Sequence, residues 1–275
     1  MHLISLIPAG YSVQTLIPIC GILAVSGLMS GLSGFGFSAI GALSLWFMPP
    51  TLGVPLLMSL STANQLMSLG QLKADLRPLA EWWPDGPTPY LLGGLLGVPI
   101  GLAILHALPT ATLMLVFGSV LVIYAAYSIL KPAGLHVSVK GSPISSGLVG
   151  MTGGVIGGFT AFPGAAVVVW SGLRQLPKRE SRSIVQPYIL GLQIISLTLL
   201  AVQRPETFSR TFWIILLITV PVVLPGTLLG VNLYRSLSDV NFRRITFLLL
   251  GVSGLGLLVK GLTALHVFAG ASAGH

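Results

Sequence analysis

The chain has 275 residues, 53% of them hydrophobic and only 7% charged, against about 25% charge in a soluble domain. Fourteen Lys and Arg against six Asp and Glu leave a net charge of +8, yet no basic stripe interleaved with aromatics is present, which argues against a nucleic-acid partner. Cys20 is the single cysteine, which excludes an internal disulfide framework, a Cys-based zinc cluster and a dithiol relay.

Residues 1–72 carry no charged side chain. At 1.5 Å per residue they make roughly 108 Å of helix, more than three crossings of a ~30 Å hydrocarbon core. No Lys or Arg precedes the first apolar stretch, so no cleavable leader is expected. Within this stretch, residues 13–48 are interrupted by Gly31-Leu32-Ser33-Gly34-Phe35-Gly36, and the following segment carries Asn64 and Gln65. Further charge-free runs cover 86–130, 141–173, 183–203, 211–234 and 245–259. The segment 145–170 again contains a glycine run, Gly153-Gly154-Val155-Ile156-Gly157-Gly158, and the next run carries Gln193. Period-2 alternation is absent, so helices rather than barrel strands are expected. The chain reads as an all-α polytopic membrane protein of about 8–10 membrane segments, including glycine-broken or re-entrant helices.

The halves resemble each other. Gly36-Phe37-Ser38-Ala39 recurs as Gly158-Phe159-Thr160-Ala161, Gln65-x-x-Ser68-Leu69 as Gln193-x-x-Ser196-Leu197, and Gly93-x-Leu95-Leu96-Gly97-Val98 as Gly226-x-Leu228-Leu229-Gly230-Val231. Residues 1–130 and 144–275 are read as two transmembrane repeats joined by a basic linker, 131–143. If each glycine-rich segment crossed straight through, the basic residues would divide seven to seven between the two sides. If the chain turns back at the glycines, eleven share one side and only Arg204, Arg210 and Lys260 lie opposite. Basic residues collect in cytoplasmic loops, so two inverted repeats are expected, with both termini outside.

The six Asp and Glu all fall in connections, which argues against a cation carrier or a carboxylate-based proton pump. A broken helix instead offers uncapped N–H groups and the positive end of its dipole, an attraction for anions that needs no formal charge. Two such breaks meeting near the midplane are a transporter arrangement. The candidate substrate-binding residues are therefore Gly34, Gly36, Phe37 and Ser38 in one half, and Gly157, Gly158, Phe159 and Thr160 in the other. The buried amides Asn64, Gln65 and Gln193 complete the set. The plainer alternative is that the glycines permit close helix packing, the hydroxyls bond back one turn, and the amides join helices. The basic cluster Arg174, Lys178, Arg179 and Arg182 reads as a topology determinant facing anionic lipids, with a funnel for anions as its alternative. No metal-ligand spacing is present, so no metal or cofactor is expected. An intramembrane serine protease, with Gly31-Leu32-Ser33-Gly34 supplying the nucleophile and His106 the base, is a rival reading, and a passive anion channel is another.

The order of these motifs carries a resemblance. A glycine-rich broken segment (Gly34-Phe35-Gly36-Phe37 leading to Met48-Pro49-Pro50), then Gly53-Val54-Pro55-Leu56, then the Gly-x-Leu-Leu-Gly helix, all repeated after a basic linker, resembles the TauE/SafE sulfite exporter family, also called toluene sulfonate uptake permeases. The resemblance covers about residues 13–262. It implies a multi-pass carrier of the cytoplasmic (inner) membrane for small sulfur-containing or organic anions such as sulfite, sulfoacetate or sulfonates, working by alternating access, and not an enzyme. The family's glycine-rich segments map onto Gly34, Gly36, Gly154, Gly157 and Gly158, and the first departs from the family's triple glycine by Phe35 and Phe37. The expected partners are a small anionic substrate and membrane lipids, with a second copy of the chain as a further candidate.

Overall fold

The computed structural model describes residues 10–71, 78–130, 141–234, 248 and 251–265. Lys73, Arg77 and residues 131–140 of the basic linker lie outside them, as do Arg235, Arg243 and Arg244. Among the described residues the regular structure is helical. Helix α1 (Val13–Ser33) starts at Ser12, whose hydroxyl accepts from the Thr15 N–H at 3.2 Å, an ordinary N-cap. A turn leads to the short α2 (Phe37–Gly41), which tightens into a 3-10 segment, Ala42–Trp46, ahead of α3 (Pro50–Gln71). Then come α4 (Thr88–Ala107) and α5 (Thr110–Leu130). The second series is α6 (Pro143–Thr160), α7 (Gly164–Leu173), α8 (Lys178–Gln203), α9 (Arg210–Tyr234) and α10 (Gly251–Leu265). A reciprocal Ser142–Ser145 capping box starts α6.

Five of these helices are long and apolar enough to cross a membrane: α1, α4, Thr110–Tyr127 of α5, Arg179–Gln203 of α8 and Arg210–Leu233 of α9. The chain is a multi-pass membrane protein. Helix α3 has the length, 22 residues, but Asn64, Gln65 and several hydroxyls lower its hydropathy, and both amides are buried. Leucine and isoleucine side chains instead face outward, among them Leu92, Leu96, Ile123 and Leu217, as expected where the surroundings are acyl chains rather than water.

Both first segments turn back. Gly41 lies against Leu23 and Ser26 of α1 and Leu57 of α3, so the chain returns alongside α1 after residue 34. In the second series Pro163 lies against Gly157 and Gly153. The position of that second break differs from the expectation. Helix α6 runs unbroken through Gly153, Gly154, Gly157 and Gly158 to Thr160, and the turn falls at residues 161–163. Those glycines serve contact rather than rupture: a side chain at Gly154 would strike Gly94, and one at Gly158 would strike Gly101.

The sequence halves interleave. The most extensive pairings are α1 with α9 and α4 with α6. Gly27 and Gly31 face Val223 and Thr227 in turn, so α1 and α9 run in the same sense. Gly93, Gly97 and Gly101 step along Gly147, Met151 and Val155, so α4 and α6 do likewise. Helices α5 and α10, each last in its series, run antiparallel: Gly118 meets Gly254 and Leu258, while Gly261 meets Leu115 and Ala111. Near the end of α10, the Lys260 ammonium donates to the carbonyls of Leu45 and Trp46 and lies 5.8 Å from the Trp46 ring centre, closing orphan acceptors at the end of the first returning arm.

With lipid on the outside, association rests on van der Waals fit between small residues. Gly31→Leu drives its side chain into the Thr227 carbonyl and the Gly230 Cα. It should cost about 1–3 kcal/mol or more, read as a lower melting temperature of the detergent-solubilised protein. Gly21→Leu, where nothing lies within 4 Å, should leave that temperature unchanged.

Candidate functional site

Each hairpin turn hinges on one residue in the left-handed region, Gly34 (φ 80°) in the first and Ala161 (φ 59°) in the second. The hydroxyl just before each fixes the turn. Ser33 Oγ donates to the Met29 carbonyl (2.9 Å) and accepts from the Gly36 and Phe35 N–H groups at 3.1 and 3.3 Å. Thr160 Oγ1 donates to the Ile156 carbonyl (2.6 Å) and accepts from the Phe162 N–H at 3.1 Å. Ser33-Gly34 is therefore the structural counterpart of Thr160-Ala161. The sequence match of Ser38 with Thr160 is out of register here, because the glycines it aligns play different parts in the two helices.

Beside each turn stands an amide from the same series. Gln65 Nε2 donates to the Gly34 carbonyl at 3.0 Å, and Gln193 Nε2 to the Ala161 carbonyl at 3.5 Å. Gln65 is 1% exposed and Gln193 2%, and the Oε1 atom of each is buried without a partner. The equivalence of these two glutamines, expected from the repeat, thus takes the same form in both halves. Asn64 differs: it donates to Ser30 Oγ and accepts from Thr227 Oγ1, joining α3 to α1 and α9 with its amide engaged on both sides. It acts as a helix joint.

The remaining expected residues divide. Gly34 and Gly36 lie in the first turn as expected, while Gly157 and Gly158 lie in α6 and pack against Pro163 and Gly101. Phe37 and Phe159 are buried in the apolar core. Ser38 is buried and its hydroxyl has no partner. The first turn of α7 follows Pro163 and has no side-chain cap, so its N–H groups are the uncapped donors anticipated for a broken helix. Phe35 of the first turn lies against Gly164, at that helix start, so the two hairpins meet.

Arg182 and Gln186 were not among the residues expected to line the site. Arg182 is 8% exposed and donates from Nη2 to the Gly31 carbonyl at 3.4 Å. A methyl group on Gly34 would lie 3.1 Å from both Arg182 Nε and Gln186 Nε2. Gln186 is 1% exposed with Nε2 unpartnered. The available signal was the helical interval of seven residues from Gln186 to Gln193, two turns along one face of α8 and roughly 10 Å. Of its neighbours in the basic cluster, Arg174 donates to Tyr90 Oη at 3.4 Å and Arg179 is exposed. No Asp or Glu is buried among the described residues, and no group of three metal-ligating side chains is found among them.

For the protease reading, Ser33 Oγ is committed to three contacts in the turn, and His106 Nδ1 pairs with the Leu102 carbonyl of its own helix at 2.9 Å. A separate apolar groove of about 430 Å³ lies between α5, α6 and α7, lined by Trp170 among others, and none of the expected site residues borders it.

Residues 19–257, most of the chain, match the family model described as Sulfite exporter TauE/SafE. No curated protein and no solved structure matches.

The turns generate a paired prediction. Left-handed backbone costs an L-residue with a side chain about 1–2 kcal/mol relative to glycine, so Ala161→Gly should raise the melting temperature by a few degrees. Gly34→Ala should lower it, adding strain beside Arg182 and Gln186. Thermal unfolding of the two variants in one detergent checks both signs.

Proposed function

The chain belongs to the TauE/SafE sulfite exporter family, whose members are membrane transporters rather than enzymes, and from that premise we propose that it carries small sulfur-containing or organic anions, sulfite, sulfoacetate or sulfonates among them, across the cytoplasmic membrane by alternating access. The observation that supports the reading most is the pair of hairpin turns. Each is held by an equivalent glutamine, and they meet at Phe35 and Gly164 among buried polar groups that include a guanidinium and no carboxylate. Such a set of groups favours negative charge over positive.

The halves 1–130 and 144–275 are read as inverted repeats. The antiparallel pairing of α5 with α10 supports this, and so does the geometry of succession. Helices α8 and α9 are consecutive spans with a short connection, so they run in opposite senses. Helix α1 follows α9, and α6 follows α8: Tyr188 Oη donates to the Gly150 carbonyl while Gln193, further along, reaches Ala161. The moving bodies in this reading are not the sequence halves, because α1 with α9 and α4 with α6 share the tightest packing. One body is α1, α2, α3 and α9, tied by the Ser30–Asn64–Thr227 chain. The other is α4, α6, α7 and α8. Rocking occurs where α3 faces α8, exposing the meeting point of the two turns to each side alternately.

Proteoliposomes test the function. Sulfite flux should saturate with concentration and show exchange, and Gln193→Leu should reduce it at least several-fold while leaving the protein folded. Unsaturable conductance would make the protein a channel instead. Single cysteines in a Cys20→Ser background test the topology: one at the exposed Gln175 should be labelled from the cytoplasm, and one at the exposed Glu206 from outside.

A further inference from the structure

The two hairpin turns are built alike but are not alike electrically. Gln65 of α3 and Gln193 of α8 mark equivalent positions, since each donates to the left-handed residue of its own hairpin. Counting back along both helices by the same interval, Arg182 corresponds to Val54 and Gln186 to Met58. Val54 and Met58 are both buried. One face of α8 therefore brings a cation and an amide donor to the first turn, while the matching face of α3 offers only aliphatic and thioether surface.

Gln186 at the first turn has an unmet requirement. The Gln186 Nε2 is buried without a partner on the same side of Gly34 as the Arg182 guanidinium, and a buried amide donor left unpaired is destabilising. An acceptor between them satisfies that donor and meets a positive charge. A guanidinium is a planar fork that takes two oxygens of one ligand at once. A spherical anion uses only one edge of that geometry.

We propose that Arg182 and Gln186 form the charge-recognising part of a substrate subsite at the first hairpin turn, and that its ligand is a small oxyanion presenting two acceptor oxygens, such as a sulfite, a sulfonate or a carboxylate. The second turn contributes no cation to it, so the anion sits off-centre, toward the start of α8 and roughly 10–16 Å along that helix from Gln193. This assignment rests on the carrier reading above and adds to it the residues that select the ligand.

The test is anion binding to the detergent-purified full chain, measured calorimetrically with sulfite, methanesulfonate and chloride. Arg182→Gln should weaken the two oxyanions on the order of ten- to hundredfold and abolish their advantage over chloride. Arg182→Lys, which keeps the charge without the fork, should fall between. Gln186→Met, which installs the residue found in the other half, should weaken oxyanions severalfold, and Arg179→Gln, in the same basic cluster but exposed, should change nothing. If Arg182→Gln does not fold, the Lys and Met variants decide. Oxyanion affinity within twofold of the parent in the folded variants overturns the assignment and leaves the carrier intact. Absence of anion binding by the parent protein overturns both.

Discussion

A chain that bends inside a bilayer must satisfy its own main-chain polar groups, because acyl chains offer nothing in exchange for water. The hydroxyl and amide contacts at the two hairpin turns answer that demand. Ser33 and Thr160 each use one oxygen to return a proton to the preceding helix and to receive N–H groups from the turn. Gln65 and Gln193 each cover the carbonyl of the left-handed residue. Once these groups are in place the chain reverses without exposing its backbone to lipid, and the start of α7 is left with donors that no side chain caps. Those donors are the ones the carrier proposal assigns to an anion.

The second organising fact is how the helices find each other without a hydrophobic driving force. Gly27, Gly31, Gly226 and Gly230 on one side and Gly93, Gly97, Gly154 and Gly158 on the other bring backbones into direct contact, where dispersion between close surfaces supplies the attraction. The result crosses the boundary between repeats. Helix α1 packs on α9 and α4 on α6, so the most extensive packing joins the two halves of the sequence rather than closing within either.

Much of this was legible in the residues. The absence of charge over 1–72 demanded several spans, the recurrence of Gln-x-x-Ser-Leu located α3 and α8 as partners, and the distribution of basic residues pointed to a reversal within each first segment. The location of the second reversal was not legible, because a glycine run reads equally as a break and as a contact surface. Backbone from α4 lies opposite Gly154 and Gly158, and nothing local announces it. The register of the turn was hidden for a related reason: alanine at position 161 does the work of glycine at 34, so a match by residue type slid onto the wrong pair. Arg182 was placed with its basic neighbours because a cluster of charges looks uniform in sequence. The fold separates them: Arg182 is buried while Arg179, three residues earlier on α8, is exposed.

The reach of Lys260 to the carbonyls of Leu45 and Trp46, together with the mating of α1 to α9, bears on how the molecule is made. A ribosome delivers the first hairpin early, yet the groups that complete it are encoded more than 150 residues later. The nascent chain must therefore shelter that hairpin, within the translocon or against lipid, until α9 and Lys260 have been made, and a product cut before them leaves the hairpin without its mates.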